Sequence, residues 1–133
     1  MAISRRTFVS RSAGAASALA FPCVLTRAAQ PPKIRIGQIG TLHPHAGGKM
    51  TSIRKLPDTF ELVGIVEPDE ERKRAVENSK TWRGLKWLSQ EQLLNTKGLQ
   101  VVAVETAVRD LVPTAMSCIQ AGKHIHLDKP AGP

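Results

Sequence analysis

The chain has 133 residues, 41% hydrophobic and 4% aromatic, with 19 lysines and arginines against 11 aspartates and glutamates and only 2 cysteines. That length and apolar content suit one small globular domain, exclude a charge-rich disordered chain, and leave too few cysteines for a disulfide scaffold. The formal charge of +8 points to no nucleic-acid surface, because Arg5, Arg6, Arg11 and Arg27 supply half of it from a leader with no acidic residue, and no basic-aromatic stripe follows.

Ser4-Arg5-Arg6-Thr7-Phe8-Val9 opens that leader, an uncharged run of small and apolar residues covers 12–21, and Thr26-Arg27-Ala28-Ala29 closes it. A charged start, a short apolar middle and small residues near a cleavage point mark a removable signal, and this one resembles a twin-arginine export signal. Residues 1–29 are therefore expected to be removed, leaving the protein periplasmic or otherwise extracytoplasmic, with Cys118 as its one thiol. The apolar run is too short to span a bilayer. Phe21 and Pro22 stand where a lipoprotein signal needs small residues before a cysteine, so no permanent membrane anchor is expected.

Residues 33–133 read as one α/β domain. After Pro31-Pro32, the β-branched run at 34–39 predicts a buried strand ending at Gly40. Ala46, Met50, Ile53 and Leu56 mark one face of a helix stopped by Pro57-Asp58. A second strand covers 60–67. Asp69 then caps a second helix reaching about Ser79, with Glu70 and Glu71 in its first turn and Glu70 spaced to pair with Arg74. Ser89 caps a short helix over 90–95. The nearly unbroken apolar run at 99–106 suits a buried parallel strand. Asp110 is expected to cap the next helix, with Pro113 in its first turn and Leu111, Val112, Ala115, Met116 and Ile119 on its apolar face. Residues 124–130 form the last strand. Alternation of this kind belongs to a Rossmann-like, doubly wound parallel sheet, because parallel neighbours need crossovers.

Chemistry is expected where the first strand turns into the first helix. A strand ending in glycine before a helix aims backbone N–H groups and the positive helix end at an anion, as in a pyrophosphate site. The G-x-G-x-x-G register from Gly40 has Leu42 and His45 in place of glycines, so a glycine serving only a tight turn stays open beside it. Glu67, at the end of the second strand, is placed to accept hydrogen bonds from a ribose diol and to repel a 2′-phosphate, favouring NAD over NADP. A solvated acid at a turn is the alternative. His43 and His45 lie in the loop, where hydrogen bonding to a cofactor is open to them, and His124 and His126 share one face of a strand. No cysteine pair accompanies them, and no metal site is expected.

Three segments together resemble the N-terminal half of the glucose-fructose oxidoreductase and inositol dehydrogenase family, also called Gfo/Idh/MocA. They are Ile36-Gly37-Gln38-Ile39-Gly40-Thr41, Val63-Gly64-Ile65-Val66-Glu67-Pro68-Asp69, and residues 121–130, reading Ala-Gly-Lys-His-Ile-His-Leu-Asp-Lys-Pro. The last is the most specific, with Asp128 where the family has glutamate. The resemblance implies a nicotinamide dinucleotide bound at Ile39, Gly40, Thr41 and His43, with Glu67 as the ribose acid and Thr106 beside the nicotinamide. It implies Lys129 as the active-site lysine, holding a substrate oxygen as hydride is transferred. Ala107, Val108 and Leu111 depart from the family's usual Pro-Asn and following His. The family's proteins continue into a second domain that completes the pocket for a sugar or polyol-like substrate and forms the homo-oligomer interface. The chain is thus expected to be the cofactor-binding part of an oxidoreductase, incomplete for catalysis; the alternative is a non-catalytic exported dinucleotide-binding module.

Overall fold

The structure, a computed structural model, describes residues 31–131; the expected leader lies outside the described residues. β1 (Ile34–Ile39) runs between β2 (Phe60–Val66) and β3 (Val101–Val104), and β4 (His124–Leu127) pairs with the far side of β3. The sheet order is β2-β1-β3-β4 and every neighbouring pair is parallel. Crossovers between parallel strands are supplied by α1 (Ala46–Lys55), by α2 (Glu70–Val76) with α3 (Gln90–Leu94), and by α4 (Val108–Gln120). This is the expected Rossmann-like α/β architecture.

Two cores form because side chains alternate along each strand. On one face Ile39, Val66, Val102 and Val104 pack with Leu93, Leu99, Leu111 and Cys118. On the other, Ile65 packs with Ala46, Met50 and Trp82. Gly37 allows α3 to lie close on the sheet, since a Cβ there would stand 2.7 Å from a Leu93 methyl.

The caps follow the sequence in two places. Asp69 accepts the N–H groups of Glu71 and Arg72 at 2.9 and 3.0 Å, and Ser89 with Gln92 forms a reciprocal capping box at the start of α3. Elsewhere the boundaries differ. α2 ends at Val76 rather than near Ser79, with Glu77 as its C-cap, and Glu70 lies against Lys73, one turn along at i+3, at 3.6 Å. β3 and β4 are shorter than the apolar runs containing them. α4 starts at Val108 after Ala107, which supplies no side-chain cap; Asp110 sits within its first turn and Pro113 inside the helix. The carboxylate still faces the positive helix end from there, and the proline forgoes one backbone bond. Of the expected apolar face, Leu111 and Ala115 are buried, joined by Cys118, whereas Val112, Met116 and Ile119 face solvent. Leu56 is exposed as well.

Candidate functional site

The direction of winding reverses between β1 and β3, so a crevice opens at the carboxyl ends of these strands. Gly40 turns the chain there with φ +94°. A Cβ at this position would stand 2.6 Å from the Glu105 carbonyl and from the Thr106 nitrogen, so only glycine brings the turn this close to β3. Thr41 comes next and is buried. Its N–H and Oγ1 both donate to Glu67 Oε2, at 2.8 and 2.6 Å. Arg72 donates through Nε to Thr41 Oγ1 at 3.2 Å and through Nη2 to the Thr41 carbonyl at 3.1 Å. Glu67 Oε1 accepts the Asp69 N–H at 3.1 Å, so the carboxylate clamps the turn and keeps spare acceptor capacity mainly on Oε1.

α1 begins beside this turn with no side-chain cap and no acidic residue in its first turn. Gly47 has only a Thr81 methyl within reach, at 4.0 Å. The Ala46 N–H donates to the His43 carbonyl at 2.9 Å, which leaves the N–H groups of Gly47 and Gly48, backed by the positive end of the helix dipole, to face an anion. Between the ends of β2 and β3 lies a cleft of about 390 Å³, bordered by Leu42, Glu67, Asp69, Thr106, Arg109 and Pro113 among others. Glu67 and Thr106 both border it. Ile39 is elsewhere: its side chain is in the core and its carbonyl accepts the Glu105 N–H at 2.8 Å, so it supports the turn from beneath.

A second group of side chains joins the β1–α1 loop to the end of β4. His43 is buried, and its Nε2 lies 3.0 Å from the Lys129 carbonyl, a contact only an N–H can satisfy. His43 Nδ1 lies 3.5 Å from Glu105 Oε2 and 3.6 Å from Asp128 Oδ2. His45, half exposed, places Nδ1 3.0 Å from the same Asp128 oxygen. Lys49, from the second turn of α1, reaches Glu105 Oε1 at 3.4 Å and Asp128 Oδ2 at 3.5 Å. Burial pushes the Glu105 carboxyl up; Lys49 opposes the rise and the neighbouring Asp128 charge adds to it. Burial also acts to raise Asp128, but the Lys129 N–H, His45 and Lys49 outweigh it and hold that carboxyl well below the usual carboxylate range. Lys129 donates its N–H to Asp128 Oδ1 at 2.8 Å and is exposed.

Sequence reasoning placed the glycine turn and Glu67 but missed Lys49, Arg72, Glu105 and the part played by Asp128. A signal existed for Glu105: an acid directly after the buried strand Val101–Val104 is costly unless something faces it. No comparable signal marked Lys49 or Arg72, which read as ordinary exposed helix cations.

A parallel sheet with a glycine turn at its switch point, a helix N-terminus without a side-chain cap beyond it and an acid ending the second strand is the arrangement of a dinucleotide-binding Rossmann domain. The sequence profile of the Gfo/Idh/MocA oxidoreductase family, described as an NAD-binding Rossmann fold, matches residues 34–132, and the chain belongs to that family. Among solved structures it is similar to the WlbA dehydrogenase from Bordetella pertussis, solved in complex with NADH and UDP-GlcNAcA, with TM-score 0.61 and 25% identity over 76% of this chain and 30% of that one. An NAD-binding protein from Listeria innocua shares the fold with TM-score 0.63 and 24% identity over 76% of this chain and 28% of that one. So does biliverdin reductase from Synechocystis, solved with biliverdin and NADP+, with TM-score 0.61 and 24% identity over 74% of this chain and 30% of that one. A search of curated proteins gives no match. The chain spans less than a third of the length of each of these solved proteins. No helix among the described residues is long and apolar enough to cross a membrane.

Proposed function

We propose that the chain is the cofactor-binding part of an exported oxidoreductase that moves hydride between NAD and a sugar or polyol-like substrate. The observation that carries this reading is the crevice in which the Gly40–Thr41 turn, the open N-terminus of α1 and Glu67 converge beside Thr106. Turn and helix end would hold the pyrophosphate, and the spare acceptor capacity of Glu67 would take a ribose hydroxyl. A carboxylate there repels a 2′-phosphate, which favours NAD; Arg72 does not reverse this while it is engaged on Thr41. The nicotinamide, when bound, supplies the hydride chemistry. Lys129, exposed just beyond β4, would hold a substrate oxygen and stabilise charge on it, while Asp128 fixes the Lys129 backbone. The UDP-GlcNAcA complex of the WlbA dehydrogenase supports a sugar-like substrate class.

Calorimetric titration of the chain with NAD and NADP tests the reading. NAD is expected to bind more tightly than NADP, and Glu67→Ala to weaken NAD binding about tenfold or more, the size of one lost hydrogen bond to a charged group. Failure of the folded chain to bind either nucleotide would count against it. Export is tested separately: replacing Arg5 and Arg6 with lysine is expected to keep the protein out of the periplasmic fraction, and unchanged export would refute the twin-arginine route.

A further inference from the structure

We propose that His43, His45 and Asp128, faced by the buried carboxylate of Glu105, form a binding site for a borderline divalent metal ion of the zinc type, tying the β1–α1 loop to the end of β4. The argument begins with the His43 tautomer. Its Nε2 carries hydrogen because it faces the Lys129 carbonyl at 3.0 Å, which leaves the Nδ1 lone pair of the neutral ring pointing into the cluster. That lone pair accepts only the long contact of the His45 N–H, at 3.3 Å, and lies 3.5 Å from Glu105 Oε2 and 3.6 Å from Asp128 Oδ2, whose lone pairs repel it. A cation among the three atoms turns this repulsion into attraction. Donation of the distal ring N–H to a backbone carbonyl is also the support that metal-bound imidazoles ordinarily have.

The two edges at Asp128 have the dimensions of such a site. Ligands about 2.0–2.2 Å from a tetrahedral ion lie roughly 3.3–3.6 Å apart. The contacts of Asp128 Oδ2 with the Nδ1 atoms of His45 and His43, 3.0 and 3.6 Å, bracket that edge, and one donor atom from each of His43, His45 and Asp128 falls within 4.8 Å of the others. The independent observation is Glu105. Its side chain is fully buried, and neither of its oxygens has a well-formed hydrogen bond; Lys49 and His43 stand at 3.4 and 3.5 Å. A single lysine faces these two carboxylates, at 3.4 and 3.5 Å. Lys49 is partly exposed and can withdraw toward His126, whose Nδ1 it already approaches at 3.2 Å, as the ion enters. Two imidazoles with carboxylate oxygens select zinc-like ions over magnesium or calcium, which prefer all-oxygen shells. The site rests on these contacts alone and does not depend on the nucleotide reading.

The test is calorimetric titration of the chelator-stripped chain with zinc chloride and with magnesium chloride, followed by melting with and without zinc. One zinc per chain is expected, with magnesium far weaker and the melting temperature raised by zinc. His45→Ala is the decisive variant, because that ring is half exposed and its loss leaves the core intact; it is expected to weaken zinc binding about tenfold or more, with circular dichroism unchanged. Asp128→Asn is expected to act likewise, and His124→Ala to change nothing. Absence of zinc binding by the parent chain, or undiminished binding by folded His45→Ala, overturns the site. Either result leaves nucleotide binding to be judged by its own titration.

Discussion

At Gly40 two independent constraints meet, a left-handed backbone and the closest approach of the β1 turn to β3. A methyl group there would sit 2.6 Å from backbone atoms of Glu105 and Thr106, which cannot move without disturbing the sheet. Gly40→Ala is therefore expected to cost at least about 2 kcal/mol, from strain at positive φ together with the displaced strand end. Chemical denaturation measures it, and a loss of only a few tenths would show that the turn can relax. Gly40 was legible in the sequence because the β-branched strand stops at it. Its clamp was only half legible: Glu67 was read as a ribose acid, whereas much of its hydrogen-bonding capacity holds Thr41.

Cys118 offers a second residue-scale test. It is fully buried among Leu111, Val102 and Val104, and burial pushes its thiol above the usual value of 9.0. A thiol whose folded pKa exceeds its unfolded one contributes stability fully below the unfolded value, and that contribution is lost as pH rises through the folded value. Cys118 is accordingly expected to resist thiol reagents at about pH 8 in the folded chain and to react on denaturation. Peptide mapping after labelling separates it from Cys23. Modification under native conditions would mean that α4 opens readily.

At the scale of elements, helix starts were readable wherever a side chain does the capping. Asp69 and Ser89 accept first-turn N–H groups, and both were identified by residue type and spacing. Asp69→Ala is expected to destabilise the fold by about 1 kcal/mol, with Asp69→Ser restoring most of it. Thermal or urea melts decide; equal stability of the alanine variant would mean that α2, which buries no residue fully, frays without consequence. The start of α4 was not readable, because Ala107 carries no capping chemistry and Asp110 looks like a better cap than the residue that holds the position. Strand lengths were overestimated for a related reason: hydrophobic runs continue past the last paired residue when the following loop is buried too, as Glu105 and Thr106 are after β3.

For the whole molecule, the alternation of strands and helices fixed the fold class, yet it could not bring His43 and His45 to Asp128. Those contacts span more than eighty residues and exist only because β1 and β4 flank β3 with parallel register, so that both strands end at the same edge of the sheet. Sequence spacing carries no such information until strand order is known. The same limit applies to what the sheet leaves outside. Val108, Val112, Met116 and Ile119 form a line along α4 at helical spacing, with exposures of 50, 37, 49 and 50%, and among the described residues nothing packs over them. The amphipathic pattern assigned three of these residues to the core, but the helix rotates so that Leu111, Ala115 and Cys118 meet the sheet instead. An uncovered apolar line of this kind favours self-association without contributing to the fold. Replacing Val112 and Met116 together with lysine is thus expected to lower light scattering in concentrated solution while changing stability by no more than about 0.5 kcal/mol, as for surface positions generally. A loss of several kcal/mol would instead place these side chains inside a packed surface and require a different account of α4.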